Sequence, residues 1–472
     1  MLIYFKLSKE NSKKNVIFNK NYGILTITYE LLQDGDNMVG NLKINAAGHL
    51  EIGGCDTVEL AKKYGTPLYV MDEMVIRNNC RKYKNALEKY FDGNGLVLYA
   101  SKAFCTIAAC RIAHQEGLGL DVVSGGELYT AIKAGFPMEK VYFHGNNKTI
   151  DEIEMGIDNN VGRFVVDNET ELYNIEKIAA RKGKKVKVLF RIKPGIDAHT
   201  HDFIKTGQID SKFGVALENG EAHAIFEKAV KMKNIEVVGV HCHIGSQIFE
   251  LEPYEAAAEI LLDFIADVRY RFGIEMSEIN LGGGYGIKYT DKDNPLEYEQ
   301  FVESISKVVK RICEEKKISN MFILMEPGRS IVAPAGITLY EVGNIKDIKG
   351  VRKYISIDGG MSDNPRYALY NAEYTAMLAN KANSPKTEIV TIAGKCCESG
   401  DLIAKDIEMS EAEPGDILAV LATGAYNYSM AMNYNRIPKP PVVLVKEGKD
   451  RLIVRRETYD DIIRNDLVPD DL

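Results

Sequence analysis

From about residue 96 the chain alternates short β-rich runs with longer helical stretches, and this alternation restricts the fold more than any other feature. Eight runs, at 96–100, 119–123, 140–144, 163–166, 186–192, 237–243, 278–281 and 321–325, carry the β-branched and aromatic residues of buried strands. All but the last lead into an amphipathic stretch, such as 253–272 or 299–317. Parallel strands need crossovers of this kind, so the pattern predicts an α/β chain whose eight strands close into a (β/α)8 TIM-type barrel. A doubly wound open sheet would alternate similarly, and the strand count favours the barrel. After about residue 332 the helical pattern falls away. Runs at 337–342, 354–357, 388–392, 416–420 and 442–445 predict a second, mostly β domain. The expected division is a barrel over 68–332 and a β domain built from 38–67 with 333–472. Residues 1–37, rich in Asn and Lys, read as an N-terminal extension. An internal Met38 precedes the better-patterned 41–53, which fits an extension or a start codon assigned too early.

With 472 residues the chain has room for two cores. Its net charge of −8, with no basic block, excludes nucleic acid as the main partner, because phosphate binding needs clustered Lys and Arg. The eight cysteines are scattered, and the only tight pair is the adjacent Cys396–Cys397. Without C-x-x-C spacing, neither structural zinc nor thioredoxin-like exchange is expected, and reduced thiols in a cytoplasmic setting are the plainer reading. No apolar run reaches the ~18 residues of a membrane helix. The start, Met1 to Lys6, lacks the basic region and cleavage site of an export signal.

The residues with chemical potential sit mostly just after strand runs, where barrels place their reactive loops. Lys102 follows the buried run 96–100. It is either a snorkelling surface residue or an amine in a poorly solvated pocket, where desolvation lowers its pKa and frees the lone pair to attack an aldehyde. Gly282-Gly283-Gly284-Tyr285-Gly286 follows 278–281, and adjacent glycines let backbone N–H groups converge on an anion. The alternative is a tight strand-to-helix turn. The spacing is not G-x-G-x-x-G, so the dinucleotide fingerprint is absent. Glu326-Pro327-Gly328-Arg329 closes the last barrel strand, where the acid is either a salt-bridged strand end or a partner for a cofactor nitrogen.

His241-Cys242-His243-Ile244-Gly245-Ser246 ends another strand. Two histidines invite a metal, but no further ligand is visible in sequence, so none is expected. Stacking of an imidazole on a cofactor, with Ser246 donating to phosphate, explains the segment better, and His241 also reads as a satisfied core histidine. Downstream, Cys397 and Glu398 offer a thiol proton donor and an acid, although a buried structural cysteine is the commoner fate. Arg366, Tyr370 and Tyr426 complete the set. A guanidinium fork matches a carboxylate bidentately, and each of the three could equally be a surface or interface residue. An amine, a phosphate cradle, an acid and a thiol together suit pyridoxal 5'-phosphate.

Taken in order, these segments resemble the fold-type III pyridoxal-phosphate decarboxylases, most closely the diaminopimelate decarboxylases. The resemblance runs from about 46 to 436. It includes His49 to Gly54, Asp121 to Leu128, His144-Gly145-Asn146-Asn147-Lys148, Asp197-Ala198-His199-Thr200-His201 and Ser211-Lys212-Phe213-Gly214. It implies the alanine racemase-like barrel with a β domain, and a homodimer with shared active sites. By the same resemblance Lys102 would bond the cofactor aldehyde and His243 would stack on the ring. Ser246, Gly283, Gly284 and the turn Glu326, Pro327, Gly328, Arg329 would hold phosphate and ring, with Glu326 at the pyridine nitrogen. Arg329, Arg366, Tyr370 and Glu398 would grip the distal end of the substrate. Cys397 would supply a proton from the neighbouring subunit, and Tyr426 would touch cofactor and substrate. Lys193 departs from the small polar residue expected there, and residues 1–37 have no counterpart.

The implied reaction removes the carboxylate at the D-configured end of meso-2,6-diaminopimelate, giving L-lysine and carbon dioxide, the last step of lysine biosynthesis by that route. Ornithine or lysine would need only an acid at its far end, whereas a second carboxylate needs arginine. Arg366 and Arg329 beside Glu398 therefore favour the dicarboxylic substrate. An ornithine, arginine or carboxynorspermidine decarboxylase is the runner-up. A racemase is disfavoured by an acid at the pyridine position, and a non-catalytic regulator by intact Lys102 and Cys397.

Overall fold

All eight expected barrel strands form, within two residues of their sequence limits at either end. They are β1 Gly95–Ala100, β2 Gly119–Val122, β3 Val141–Phe143, β4 Arg163–Val166, β5 Val186–Lys193, β6 Ile235–His241, β7 Glu278–Asn280 and β8 Phe322–Met325. Each lies parallel to the next, and β8 returns to β1, so the sheet closes and has no edge. The structure, a computed structural model, describes residues 42–196, 210–319 and 321–472. The extension 1–37 and the motif 197–201 lie outside those residues. The described residues, from 42 on, belong to one compact unit.

The helices form for local reasons. Glu252–Phe272 has Pro253 in its first turn and left-handed Gly273 at its end. It buries Tyr254, Ala257, Ala258, Leu261, Leu262, Ile265 and Val268, a three-and-four spacing that presents one apolar face to the barrel. Each buried leucine contributes about 2 kcal/mol. Tyr298–Lys316 starts at a capping box between Glu297 and Gln300.

Inside the barrel, Leu98, Tyr142, Val165, Leu189, Val238 and Leu324 pack as a core of their own. Below them, at the strands' N-terminal ends, buried Glu278 accepts from Arg163 Nε at 2.9 Å and from the Tyr142 hydroxyl at 3.2 Å. Side chains on a strand repeat a face every second residue, so the residue two beyond each core position points into the opposite mouth. Ala100, His144, Asp167, Arg191 and Glu326 are placed by that rule. His241 lies three beyond Val238, and a register shift between Val237 and Gly239 supplies the extra residue.

The second domain centres on the strand Gly336–Ile348, antiparallel to Arg352–Ile357 and to Ile417–Val420. Leu68–Asp72, read from sequence as the start of the barrel segment, pairs instead with Gly336–Ile348 and Val442–Lys446. All five of its residues are buried, and a fully buried run looks the same whichever sheet takes it. Among the described residues no helix is long and apolar enough to cross a membrane.

Candidate active site

The C-terminal mouth of the barrel opens into a cavity of about 750 Å3. From the barrel its wall takes Lys102, His243, Ser246, Gly284, Glu326, Gly328 and Arg329, and from the β domain Arg366, Tyr370 and Tyr426. These ten residues, singled out in sequence, therefore meet at one place. Gly283 and Pro327 lie within the same loops.

Lys102 sits in a single turn, Ser101–Ala103, directly after β1. Two ties hold that turn: Ser101 Oγ donates to Glu127 at 2.8 Å, and the Tyr426 N–H donates to Ala103 O at 2.8 Å. Tyr426 adopts a φ of 63°, a left-handed conformation costing a non-glycine residue about 1–2 kcal/mol. The domain junction over-determines it, and its ring lies 4.7 Å from the Arg329 guanidinium carbon. The Lys102 amine departs from expectation. Burial pushes it down, but Tyr426, Asp121 and Glu326 more than offset this and hold it above the ordinary lysine range. Neighbouring acids outweigh desolvation.

The floor is carried by Glu326. Its Oε1 accepts from Asn280 Nδ2 at 2.7 Å, and its Oε2 meets His241 Nε2 at 3.2 Å. His144 Nε2 stands 2.8 Å from Oε1 and 3.7 Å from Asp121 Oδ1, without hydrogen-bond alignment to either. Burial pushes the Glu326 carboxyl up, but His144 and His241 hold it well below the usual carboxylate range. Burial takes His241 down to about 4, so its imidazole is neutral and donates through Nε2. The sequence shows no further ligand for His241. The structure brings His144 and Glu326 to it, three donor atoms within 4.8 Å of one another, a set a divalent cation could use.

The glycine run turns back on this floor. Gly282 N–H donates to Asn280 Oδ1 at 2.9 Å, and Glu326 N–H to Gly282 O at 2.8 Å. A Cβ on Gly283 would stand 2.0 Å from Glu326 O, and one on Gly284, at φ +108°, 2.3 Å from Gly245 O. Only glycine fits this cradle. His243 accepts from Gly283 N–H at 3.3 Å, and burial keeps its imidazole well below the ordinary range, hence neutral. Arg329 donates to Ser246 Oγ through Nη2 at 2.9 Å and to the Tyr289 hydroxyl through Nη1 at 2.7 Å. Arg366 lies 5.0 Å over the Tyr289 ring and donates to Tyr374 at 2.5 Å. Burial pushes the Tyr289 phenol up, but the two guanidiniums hold it below the tyrosine range.

Cys397 and Glu398 stand apart. Both are exposed on the loop after Glu388–Ala393, outside the cavity wall, while the adjacent Cys396 is buried. Cys397 N–H donates to Asn435 Oδ1 at 2.7 Å, so the backbone of the loop is held. The floor residues Asp121, His144, His241 and Asn280, together with Arg191 and Tyr289, received no site role from sequence. For Asp121, His144 and Arg191 the usable signal was phase, because each continues the inward face of its strand.

An amine, a neutral imidazole, an ionised carboxylate and a glycine cradle around one enclosed space fit a phosphorylated pyridine aldehyde. A family model described as pyridoxal-dependent decarboxylase, pyridoxal binding domain, matches residues 74–333. The chain belongs to this pyridoxal-dependent family, within the group of the diaminopimelate decarboxylases. It is 52% identical over 421 residues to the diaminopimelate decarboxylase of Bacillus methanolicus, covering 89% of this chain and 96% of that one. It is 49% identical to that of Bacillus subtilis, covering 91% and 97%. The crystal structure of the M. jannaschii diaminopimelate decarboxylase in complex with L-lysine matches with a TM-score of 0.84 at 38% identity, covering 93% and 99%.

Proposed function

We propose that this chain decarboxylates meso-2,6-diaminopimelate to L-lysine and carbon dioxide, the closing step of lysine biosynthesis by the diaminopimelate route. The observation that carries it is the convergence of Lys102, an ionised Glu326 and the guanidiniums Arg329 and Arg366 on one cavity. When bound, pyridoxal phosphate supplies an aldehyde for the amino group and a ring that draws in the electrons of the breaking carbon–carbon bond.

The chain's own residues do the rest. Lys102 Nζ would hold the cofactor through its aldehyde. Glu326 would pair with the pyridine nitrogen and favour its protonated form, which strengthens electron withdrawal. His243 would stack on the ring. Ser246, Gly283 and Gly284, with the Glu326–Arg329 turn, would hold phosphate and ring. Arg366 and Arg329 pair with the distal carboxylate, Glu398 with the distal ammonium, and Tyr370 and Tyr426 close the wall. Cys397 Sγ returns a proton to the carbon that lost the carboxylate.

Cys397 and Glu398 reach this chemistry from a second copy of the chain, so the working unit is a homodimer. Support comes from their exposure outside the cavity of their own chain. The eight cysteines are free, which suits a cytoplasmic setting. Incubation with pyridoxal phosphate and meso-diaminopimelate, with ornithine, arginine and lysine in parallel, tests the reading. Chromatography should find lysine from diaminopimelate alone, and carbon dioxide released from ornithine or arginine instead would overturn the assignment.

A further inference from the structure

Two strands of the β domain, Arg352–Ile357 and Glu388–Ala393, run parallel with Ser356 opposite Ala393, so the segments leaving their ends travel side by side. The first, 358–366, delivers Arg366 to the cavity wall, and the second, 394–401, carries Cys397 and Glu398. Asp401, only 3% exposed, lies between them. Its Oδ1 accepts from Met361 N–H at 2.6 Å and its Oδ2 from Cys396 N–H at 2.7 Å. We propose that Asp401 is a positioning residue that ties together the two contributions of one chain, Arg366 in its own cavity and Cys397 in that of a second copy, a role that rests on the homodimer proposed above.

Both backbones come close to this carboxylate because each has a glycine there. A Cβ on Gly360 would stand 2.5 Å from Asp401 Oδ2, and one on Gly394 2.2 Å from the same oxygen. On the Arg366 side a turn relays the tie. Asp363 and Asn364 N–H groups donate to Gly360 O at 3.0 and 2.8 Å, and Pro365 leads into the short helix Arg366–Tyr370. On the thiol side Cys396 directly precedes Cys397, Glu398 N–H donates to Cys396 O at 2.8 Å, and Asp401 N–H to Glu398 O at 3.1 Å. A separate peptide link, Lys395 N–H to Gly359 O at 2.8 Å, keeps the segments adjacent without the carboxylate. What Asp401 adds is a fixed orientation of each segment. Two N–H donors on different segments need two acceptors held rigidly to each other, and a carboxylate supplies them in one plane.

The experiment places Asp401→Ala in hybrid holoenzymes made by dissociation and reassembly. The reference hybrid pairs a Cys397→Ala chain with a Lys102→Ala chain. Neither turns over with its own kind, so all activity comes from one site that joins the barrel of the first to the loop of the second. Asp401→Ala on the Cys397→Ala chain disturbs only the Arg366 side of that site. KM for diaminopimelate should then rise about tenfold, with kcat within about twofold. On the Lys102→Ala chain the same change disturbs only the thiol loop. There kcat should fall about tenfold, and KM should rise by less than about threefold through Glu398. A merely structural role would lower the yield of active hybrid alike in both arrangements and leave KM at the reference value, which would overturn the tie. So would an effect confined to one arrangement. If the reference hybrid is itself inactive, the homodimer reading fails and takes this inference with it. If the reference turns over and neither arrangement departs from it, this inference alone fails. Should Asp401→Ala not fold, Asp401→Asn keeps one accepting oxygen. It should spare the arrangement whose N–H that oxygen meets and impair the other, and impairment of neither would overturn the tie.

Discussion

The barrel floor and the Cys397–Glu398 loop carry equally reactive groups in opposite surroundings. The groups around Glu326 are buried, and its carboxylate accepts from Asn280 and His241. On the loop, thiol and carboxylate face outward, although the backbone beneath them is pinned by Asn435 and buried Asp401, whose carboxylate accepts from Cys396 N–H at 2.7 Å. A loop with a pinned backbone that turns its thiol outward, while the Glu398 carboxylate accepts from Gly400 N–H at 3.3 Å, is placed to meet something outside itself. The floor is complete within one chain, and in the proposed homodimer the loop would complete the cavity of another.

The largest effect should come from Lys102→Ala, which is expected to cut kcat at least about 10^4-fold and abolish borohydride-trappable cofactor. Mixed with Cys397→Ala after dissociation and reassembly, it should regain about one quarter of wild-type activity, because random pairing leaves one intact site in half the dimers. No recovery would break the contrast between the two regions. Next, Arg366→Ala should raise KM for diaminopimelate about 100-fold with the cofactor absorbance unchanged, since a bidentate partner is lost on the substrate side alone. An unchanged KM would remove the basis for a dicarboxylic substrate. Tyr289→Phe is smaller: without the hydroxyl that fixes Arg329 Nη1, KM should rise about fivefold and kcat stay within about twofold.

The last effect concerns stability rather than turnover. Burial pushes the Asp363 carboxyl in the β domain up to about 7, despite a hydrogen bond from Tyr340. A carboxyl raised in the folded state favours folding below its unfolded pKa and loses that contribution as pH rises toward 7. Asp363→Asn removes the linkage, so its stability relative to wild type should improve between pH 5 and 8 by about 2.5 kcal/mol. Parallel denaturation midpoints at the two values measure this, and a constant difference would show that Asp363 does not titrate there.

Much of this molecule is legible in its sequence because strand runs and helical stripes are local patterns. The eight barrel strands and ten wall residues follow from them, with the wall aided by family resemblance. Leu68–Asp72 was not legible in the same way, since a run buried on both faces carries no mark of its sheet. Nor was the floor, because His144, His241 and Glu326 are separated by 97 and 85 residues and meet only when the sheet closes. The step in β6 that brings His241 inward leaves no trace beyond an unremarkable glycine. The Lys102 amine was misjudged in direction because desolvation can be guessed from a buried run, whereas the acids around it cannot.

Among the described residues, Tyr142, Arg163 and Glu278 shut the lower end of the barrel, and the upper mouth is its doorway. Whatever arrives must depart by the same passage: first the small gas, then the amino acid, and only afterwards a new guest. If a neighbouring protomer leans its thiol across that threshold, it also stands guard over traffic, and turnover becomes a matter of how readily two copies ease apart.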